Sequence, residues 1–316
     1  MTSIDRRTVP SGYWGEVTSS LIWCEEKYQW SKYVAEPVNT FTNVFFFLLA
    51  IYGAKKTFDE RLPLRFFLVN LGIAGIGVGS FLFHATLKYE AQLLDELPMI
   101  YTSALLTYCV LETTPGYGKP RFRILLPTVL ILAVTFITVG YLYLGNPIFH
   151  QAAYATIQLV STLRNLDLLY SSRSPLLASP AGRATRDQIQ RTLGVGSVLF
   201  LGAFGIWNID NIYCAHLRDI RKKHGFPLSL LTQGHGWWHI GTGMGAYLIL
   251  VASELLVLSI KESPENFELV NAWPSLHFFV PHVKRIRQFD AKRDLKGRKP
   301  RKSLTAPSNG QVRKDD

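Results

Sequence analysis

Apolar residues along this chain gather into stretches longer than most soluble helices provide. Seven of them, at 38–54, 64–87, 93–111, 122–144, 147–170, 192–214 and 236–258, approach or reach membrane-spanning length, a span needing roughly 20 residues. Two are weaker than the rest. The first opens with polar Asn39, Thr40 and Asn43, and the fifth carries Arg164, Asn165 and Asp167 near its end. In lipid, only helices and closed barrels satisfy their own backbone polar groups. The pattern therefore predicts an all-α integral membrane protein, a seven-transmembrane helix bundle over 38–258. A lumenal segment over 1–37 precedes it, and a basic, disordered cytosolic tail over 259–316 follows. A large soluble helical protein is the plain alternative.

Charge adds orientation. The net charge of +11 on 316 residues invites a nucleic-acid reading, but its distribution argues against one. Twelve Lys/Arg against four Asp/Glu fall between Pro281 and Asp316, so +8 of the excess sits in one terminal tail. A basic run after the last span reads as a positive-inside tail that touches anionic lipid headgroups. Lys55, Lys56, Arg61 and Arg65 follow the first span, and Lys119, Arg121 and Arg123 follow the third. Arg173, Arg183, Arg186 and Arg191 follow the fifth. The connection after the sixth, with Arg218, Arg221, Lys222 and Lys223, is the exception. On balance the C-terminus is cytosolic and, with seven spans, the N-terminus lumenal. The first 35 residues show no apolar core of a cleavable signal peptide, leaving the first span as anchor. The terminal RKDD resembles a dilysine retrieval signal, which points to the endoplasmic reticulum or Golgi. Oligomeric state is not legible. Cys24 and Cys214 share the lumenal side, where disulfides persist, and a bridge between them and two separate thiols both fit.

Ionisable groups inside spans are costly and are functional candidates by default. Ser80 and His84 lie four apart near the end of the second span, on one helical face. Asp95 and Glu96 fall in the first turns of the third, and His235 and His239 open the seventh. The second span ends on the lumenal side, while the third and seventh begin there. Ser80, His84, Asp95, His235 and His239 are thus expected at one depth. Three imidazoles with a fourth position left open suit catalytic zinc, although imidazole also serves other divalent metals. Gly236, Trp237 and Trp238 stand between the last two histidines. The glutamate base of an H-E-x-x-H metalloprotease is therefore missing, and Asp95 is the nearest carboxylate by topology. Packed core histidines, a serine bonded to its own helix and an aspartate cap are the bland readings of the same residues.

GSFLFHATLKYEAQLLDELPMIY and GHGWWHIGTGMGAYL closely resemble signatures of the alkaline ceramidases, with fungal members nearest. These are seven-span intramembrane hydrolases of a superfamily that includes the adiponectin receptors. WCEEKYQWSKYVAEPVNTFTN and WNIDNIYC resemble further blocks of the same family. The resemblance implies zinc ligands at His84, His235 and His239, a serine and an aspartate near the metal at Ser80 and Asp95, and half-cystines at Cys24 and Cys214. It also implies a calcium site built on Trp23, Glu25 and Glu36. There the chain departs: Ile22 stands where the family has aspartate and Lys27 where it has asparagine. Calcium takes 6–8 oxygen ligands, so these changes make its binding doubtful. Lys27 is expected to pair with Glu25 or Glu36 instead.

The activity so implied is zinc-dependent hydrolysis of the N-acyl bond of ceramide, including phytoceramide or dihydroceramide, to a sphingoid base and a fatty acid. Zinc supplies Lewis acidity and acidifies water. Asp95 takes the water's proton and returns it to the leaving amine. Ser80 hydrogen-bonds the developing oxyanion or the activated water. Trp207, Asp210 and Asn211, near the lumenal end of the sixth span, contact the sphingoid hydroxyls or orient a zinc histidine from behind. The glycines of the second and seventh spans permit close helix packing or make room for an acyl chain. Two other functions stay open: a remodelling hydrolase of the same superfamily acting on another lipid, and a seven-span receptor with a structural metal.

Overall fold

The computed structural model describes residues 9–114, 122–172, 174–271, 280–288 and 290. Eight α-helices run through them: α1 (Pro37–Asp59), α2 (Leu64–Thr86), α3 (Tyr89–Leu111), α4 (Leu125–Leu144), α5 (Pro147–Tyr170), α6 (Pro180–Ile212), α7 (Cys214–His224) and α8 (Gly234–Lys261). All but α7 are long, and they overlie the seven apolar stretches. Five of them, α1, α2, α4, α6 and α8, are long and apolar enough to cross a membrane. This is an all-α membrane protein by that measure. Helices α3 and α5 carry too many polar groups to be counted with the five, and several of those groups find partners inside the bundle. Glu96 of α3 accepts from Gln92 Nε2 at 2.9 Å and from the Tyr141 hydroxyl of α4. His150 of α5 meets the Glu96 carbonyl at 2.8 Å, and Asn165 donates to Ser253 of α8 at 3.1 Å.

Local chemistry sets the helix ends. Pro147 and Pro180 each stand at a first helical turn behind a polar cap: the Asn146 side chain accepts from Ile148 N, and Ser179 Oγ from Gly182 N. Such residues complete the orphan donors of a helix start. Gly145 closes α4 with φ +59°, a conformation that costs glycine nothing.

Helix α8 is the axis of the bundle and its most deeply buried span. It packs on α6 on one side and α1 on the other; α2 joins α1, and α3 joins α2, with α4 and α5 beyond. Missing side chains make the closest approaches possible. A Cβ on Gly245 would lie 2.8 Å from the Gly196 carbonyl of α6. A Cβ on Gly79 would overlap the Leu94 carbonyl of α3 and lie 2.8 Å from Asp95 N. Of the glycines weighed as packing or as acyl-chain space, Gly72, Gly77, Gly79, Gly241, Gly243 and Gly245 all meet neighbouring helices, and only Gly75 faces open space. Outward faces stay apolar: Ile131, Leu132 and Phe136 of α4 and Val198 and Leu201 of α6 are exposed, as a lipid-facing surface requires.

Two features lie outside the sequence reading. The short basic helix α7 fills the connection after α6. Residues Phe267–Val270 (β1) and His282–Arg285 (β2) form an antiparallel pair, Phe267 opposite Arg285. The pair docks at the end of the bundle away from the histidines. Arg285 N donates to Glu60 at 3.0 Å, and its guanidinium grips Glu262 at 2.7 and 3.0 Å. Part of the stretch read as tail is thus packed on the bundle. The rest of the basic run, 291–316 with its RKDD, lies outside the described residues.

Candidate active site

Helix α2 ends, and α1, α3 and α8 begin, at one end of the bundle. That end carries nearly every residue singled out in the sequence. His84, His235 and His239 converge there with ring centroids 4.8–4.9 Å apart. Each offers a nitrogen within 4.8 Å of the others, and all three are buried. Their supports differ. His84 Nδ1 meets Glu36 Oε2 at 2.5 Å. His239 Nδ1 meets Thr42 Oγ1 at 2.9 Å and Asn43 Nδ2 at 3.4 Å. With Nδ1 engaged, Nε2 is the nitrogen these two rings have left for a ligand. His235 packs against the Trp23 ring at 4.6 Å, and its Nδ1 is buried with no hydrogen-bond partner among the described residues. An orphaned buried nitrogen costs roughly 1–3 kcal/mol. Three clustered imidazoles, two with backed Nδ1 atoms and one unsatisfied, fit a metal of the zinc type.

Ser80 lies one turn before His84 on α2, and its hydroxyl is a polar neighbour of the Asp95 carboxylate of α3. Ser80 is buried and Asp95 half-buried. The close approach at Gly79 brings the start of α3, with Asp95, against the turn of α2 that precedes His84.

The N-terminal block closes the site from outside the helices. Cys24 and Cys214 are joined as a disulfide in this structure, with Cα atoms 5.4 Å apart. Arg218 and Arg221 of α7 donate to the Cys24 carbonyl at 2.7 and 3.2 Å. The Glu25 carboxylate accepts from Val38 N at 2.7 Å and Asn39 N at 2.8 Å, capping α1. Burial, then the neighbouring Glu36 charge, push the Glu25 carboxyl up to about 8 against the pull of those donors. Lys27 pairs with Glu36 Oε1 at 2.5 Å. Burial works against the Glu36 charge, yet Lys27 and His84 hold its carboxyl down at about 2.

Asp210 is buried but touches none of the histidines' ring nitrogens. Its Oδ1 accepts from Arg221 at 2.8 Å and from Gly234 N at 3.2 Å, so it pins the start of α8 immediately before His235. Trp207 stacks with Phe204 and meets Trp23 and Trp238, forming an aromatic wall beside the cluster. Asn211 Nδ2 bonds the Trp207 carbonyl at 2.9 Å. Thr42 and Asn43 were not among the sequence candidates, and Glu36 was taken there for a calcium ligand rather than a partner of His84.

The family model named Ceramidase matches residues 15–284. This chain belongs to the ceramidase family. Its similarity extends to individual members across kingdoms. It is 38% identical over 278 residues to "Alkaline ceramidase 3" of Mus musculus, covering 87% of this chain and 97% of that one. It is 36% identical over 272 residues to "Alkaline ceramidase YPC1" of Saccharomyces cerevisiae, covering 83% and 84%. It is 28% identical over 237 residues to "Alkaline ceramidase" of Arabidopsis thaliana, covering 75% and 83%. For a ceramidase-family chain, the polar start of α1 is the informative addition. Asn39, Thr40 and Asn43 are fully buried, and α1 turns this polar face toward the histidines. Removing the Thr42 hydroxyl should loosen the His239 ring. Thr42→Val is expected to weaken the affinity of the three-histidine group for an added divalent metal about 10–100-fold, read by competition with a chromogenic chelator, while the protein stays folded.

Proposed function

We propose that this chain hydrolyses the N-acyl bond of ceramides, releasing a sphingoid base and a fatty acid. The observation that carries the proposal is the buried cluster of His84, His235 and His239, in a chain of the ceramidase family. His84, His235 and His239 would hold zinc. When bound, the ion supplies Lewis acidity that polarises the amide carbonyl and acidifies water. Asp95 accepts a proton as water adds to the carbonyl carbon, then delivers it to nitrogen as the C–N bond breaks, so the amine leaves neutral. Ser80, the polar neighbour of Asp95, aims that carboxylate or donates to the developing oxyanion.

An amide between two alkyl chains must reach this site from the bilayer. Helix α6 packs on α8 rather than beside α5, its predecessor in the chain, and Gly194, Gly202 and Gly205 of α6 face open space. These features support lateral entry along α6. In this reading seven helices lie in the membrane, with the site and the disulfide on its lumenal side and the far end of the bundle cytosolic. The disulfide supports an oxidising, lumenal side, and the endoplasmic reticulum or Golgi is the compartment we propose.

Mass spectrometry of purified protein in nanodiscs should show ceramide converted to equimolar base and fatty acid, with glycerolipid esters intact. Turnover of the esters but not of ceramide would replace this reading with that of a different lipid hydrolase. No turnover of either, with a metal still bound, would favour the receptor.

A further inference from the structure

The oxygens around Lys27 form a cage whose cation is already covalently attached. Lys27 Nζ donates to the Trp23 carbonyl at 2.7 Å and the Glu25 carbonyl at 2.5 Å, and pairs with Glu36 Oε1 at 2.5 Å. Its side chain is only 4% exposed and that of Glu36 is fully buried. Two of the ammonium's three N–H donors go to those carbonyls, and the Glu36 carboxylate lies beside it as its ion-pair partner. The other Glu36 oxygen meets His84 Nδ1 at 2.5 Å, so the ammonium stands one carboxylate away from the histidine cluster.

The calcium ion that the family resemblance implies does not fit this arrangement. Calcium gathers 6–8 oxygens at 2.3–2.6 Å. Here the Trp23 carbonyl and Glu36 Oε1 are engaged by an ammonium. The Glu25 carboxylate is turned to the first turn of α1, and its carbonyl is shared with Arg218 at 3.4 Å. A second cation at the same oxygens would face Lys27 at contact distance in a buried place, where like charges repel strongly.

We propose that Lys27 is a positioning residue standing in for a bound cation: its ammonium fixes Glu36, Glu36 fixes His84, and the site keeps its geometry without calcium. This rests on the histidine cluster being the reaction centre. The physical reason is direct. A carboxylate on Nδ1–H selects the tautomer whose Nε2 is free to ligate, and it locks the ring's orientation. Strip the ammonium away and Glu36 Oε1 loses its cationic neighbour in a buried place, leaving a vacancy that draws another cation.

The test compares the full-length wild type with Lys27→Asn and Lys27→Met across buffered free calcium, from excess EGTA upward. Ceramide turnover is one readout. Terbium luminescence excited through tryptophan is the other, since Trp23 supplies a cage oxygen. Wild type should change by less than about 2-fold with calcium and show no saturable terbium signal. Lys27→Asn should lose about 10–100-fold in kcat in EGTA, the usual cost of a lost outer-shell partner. Calcium should restore it, and terbium should bind and be displaced by calcium. Lys27→Met, which brings no oxygen, should lose kcat with little change in KM and recover less. Calcium-stimulated wild type with a saturable terbium signal would overturn the proposal, as would both variants retaining full activity in EGTA. A loss in Lys27→Asn that calcium does not reverse would refute the stand-in for a cation. If no variant folds, the wild-type calcium and terbium titrations still decide whether the cage takes an ion. Absence of wild-type turnover counts against the ceramidase function, and terbium still reports on the cage.

Discussion

His239→Ala is expected to abolish turnover, lowering kcat/KM by at least about 10³-fold, or about 4 kcal/mol of transition-state stabilisation. Bound zinc should fall from about one per chain to near zero, because two imidazoles rarely hold what three hold. The histidine cluster lies between helices that are already packed: α8 is pinned to α6 through Gly245 and Gly196, and its start is pinned by Asp210 and Arg221. Removing one ring should therefore leave the bundle folded. Elemental analysis and thermal unfolding of the same preparation check the two halves of this expectation. Full activity without metal would end the metal-centred mechanism, and wholesale unfolding would point to a structural ion.

Asp95→Asn separates chemistry from metal binding. Asparagine keeps the size and can still accept the Ser80 hydroxyl, but it cannot take a proton. The expected loss in kcat is about 10²–10⁴-fold, the range for a lost general acid–base, with zinc content and KM close to wild type. Stopped assays of chain release, with metal quantified in parallel, give both values. A variant that loses its metal together with its activity would make Asp95 a support of the ion rather than the proton carrier.

Much of this site was legible from helical spacing alone. His84 with Ser80 and His235 with His239 are four apart, so each pair shares a face. Alternating span direction then brings those faces and Asp95 to one end of the bundle. What was not legible was the support. Asn39, Thr40 and Asn43 made the first stretch look a poor span, because hydropathy counts polarity without asking what it faces. In the fold they are buried, and α1 lends polar groups to His239 and Glu36. Arg218 and Arg221, counted among the charges after the sixth stretch, both hold the Cys24 carbonyl, a local task that a count of loop charges does not see. The β1–β2 pair gave no signal because four-residue strands are too short to show alternation, and their docking is set by Glu60 and Glu262, distant in sequence from β2.

The Cys24–Cys214 bridge spans 190 positions, and this has a consequence for the order of events during synthesis. The segment carrying Trp23 and Lys27 emerges first, yet its covalent anchor is made only after six long helices have followed it. His235 and His239 come later still. During that interval Glu36 and His84 can meet, but the tryptophan face that receives His235 has nothing to receive. The histidine cluster is therefore complete only once the last of the long helices has been made.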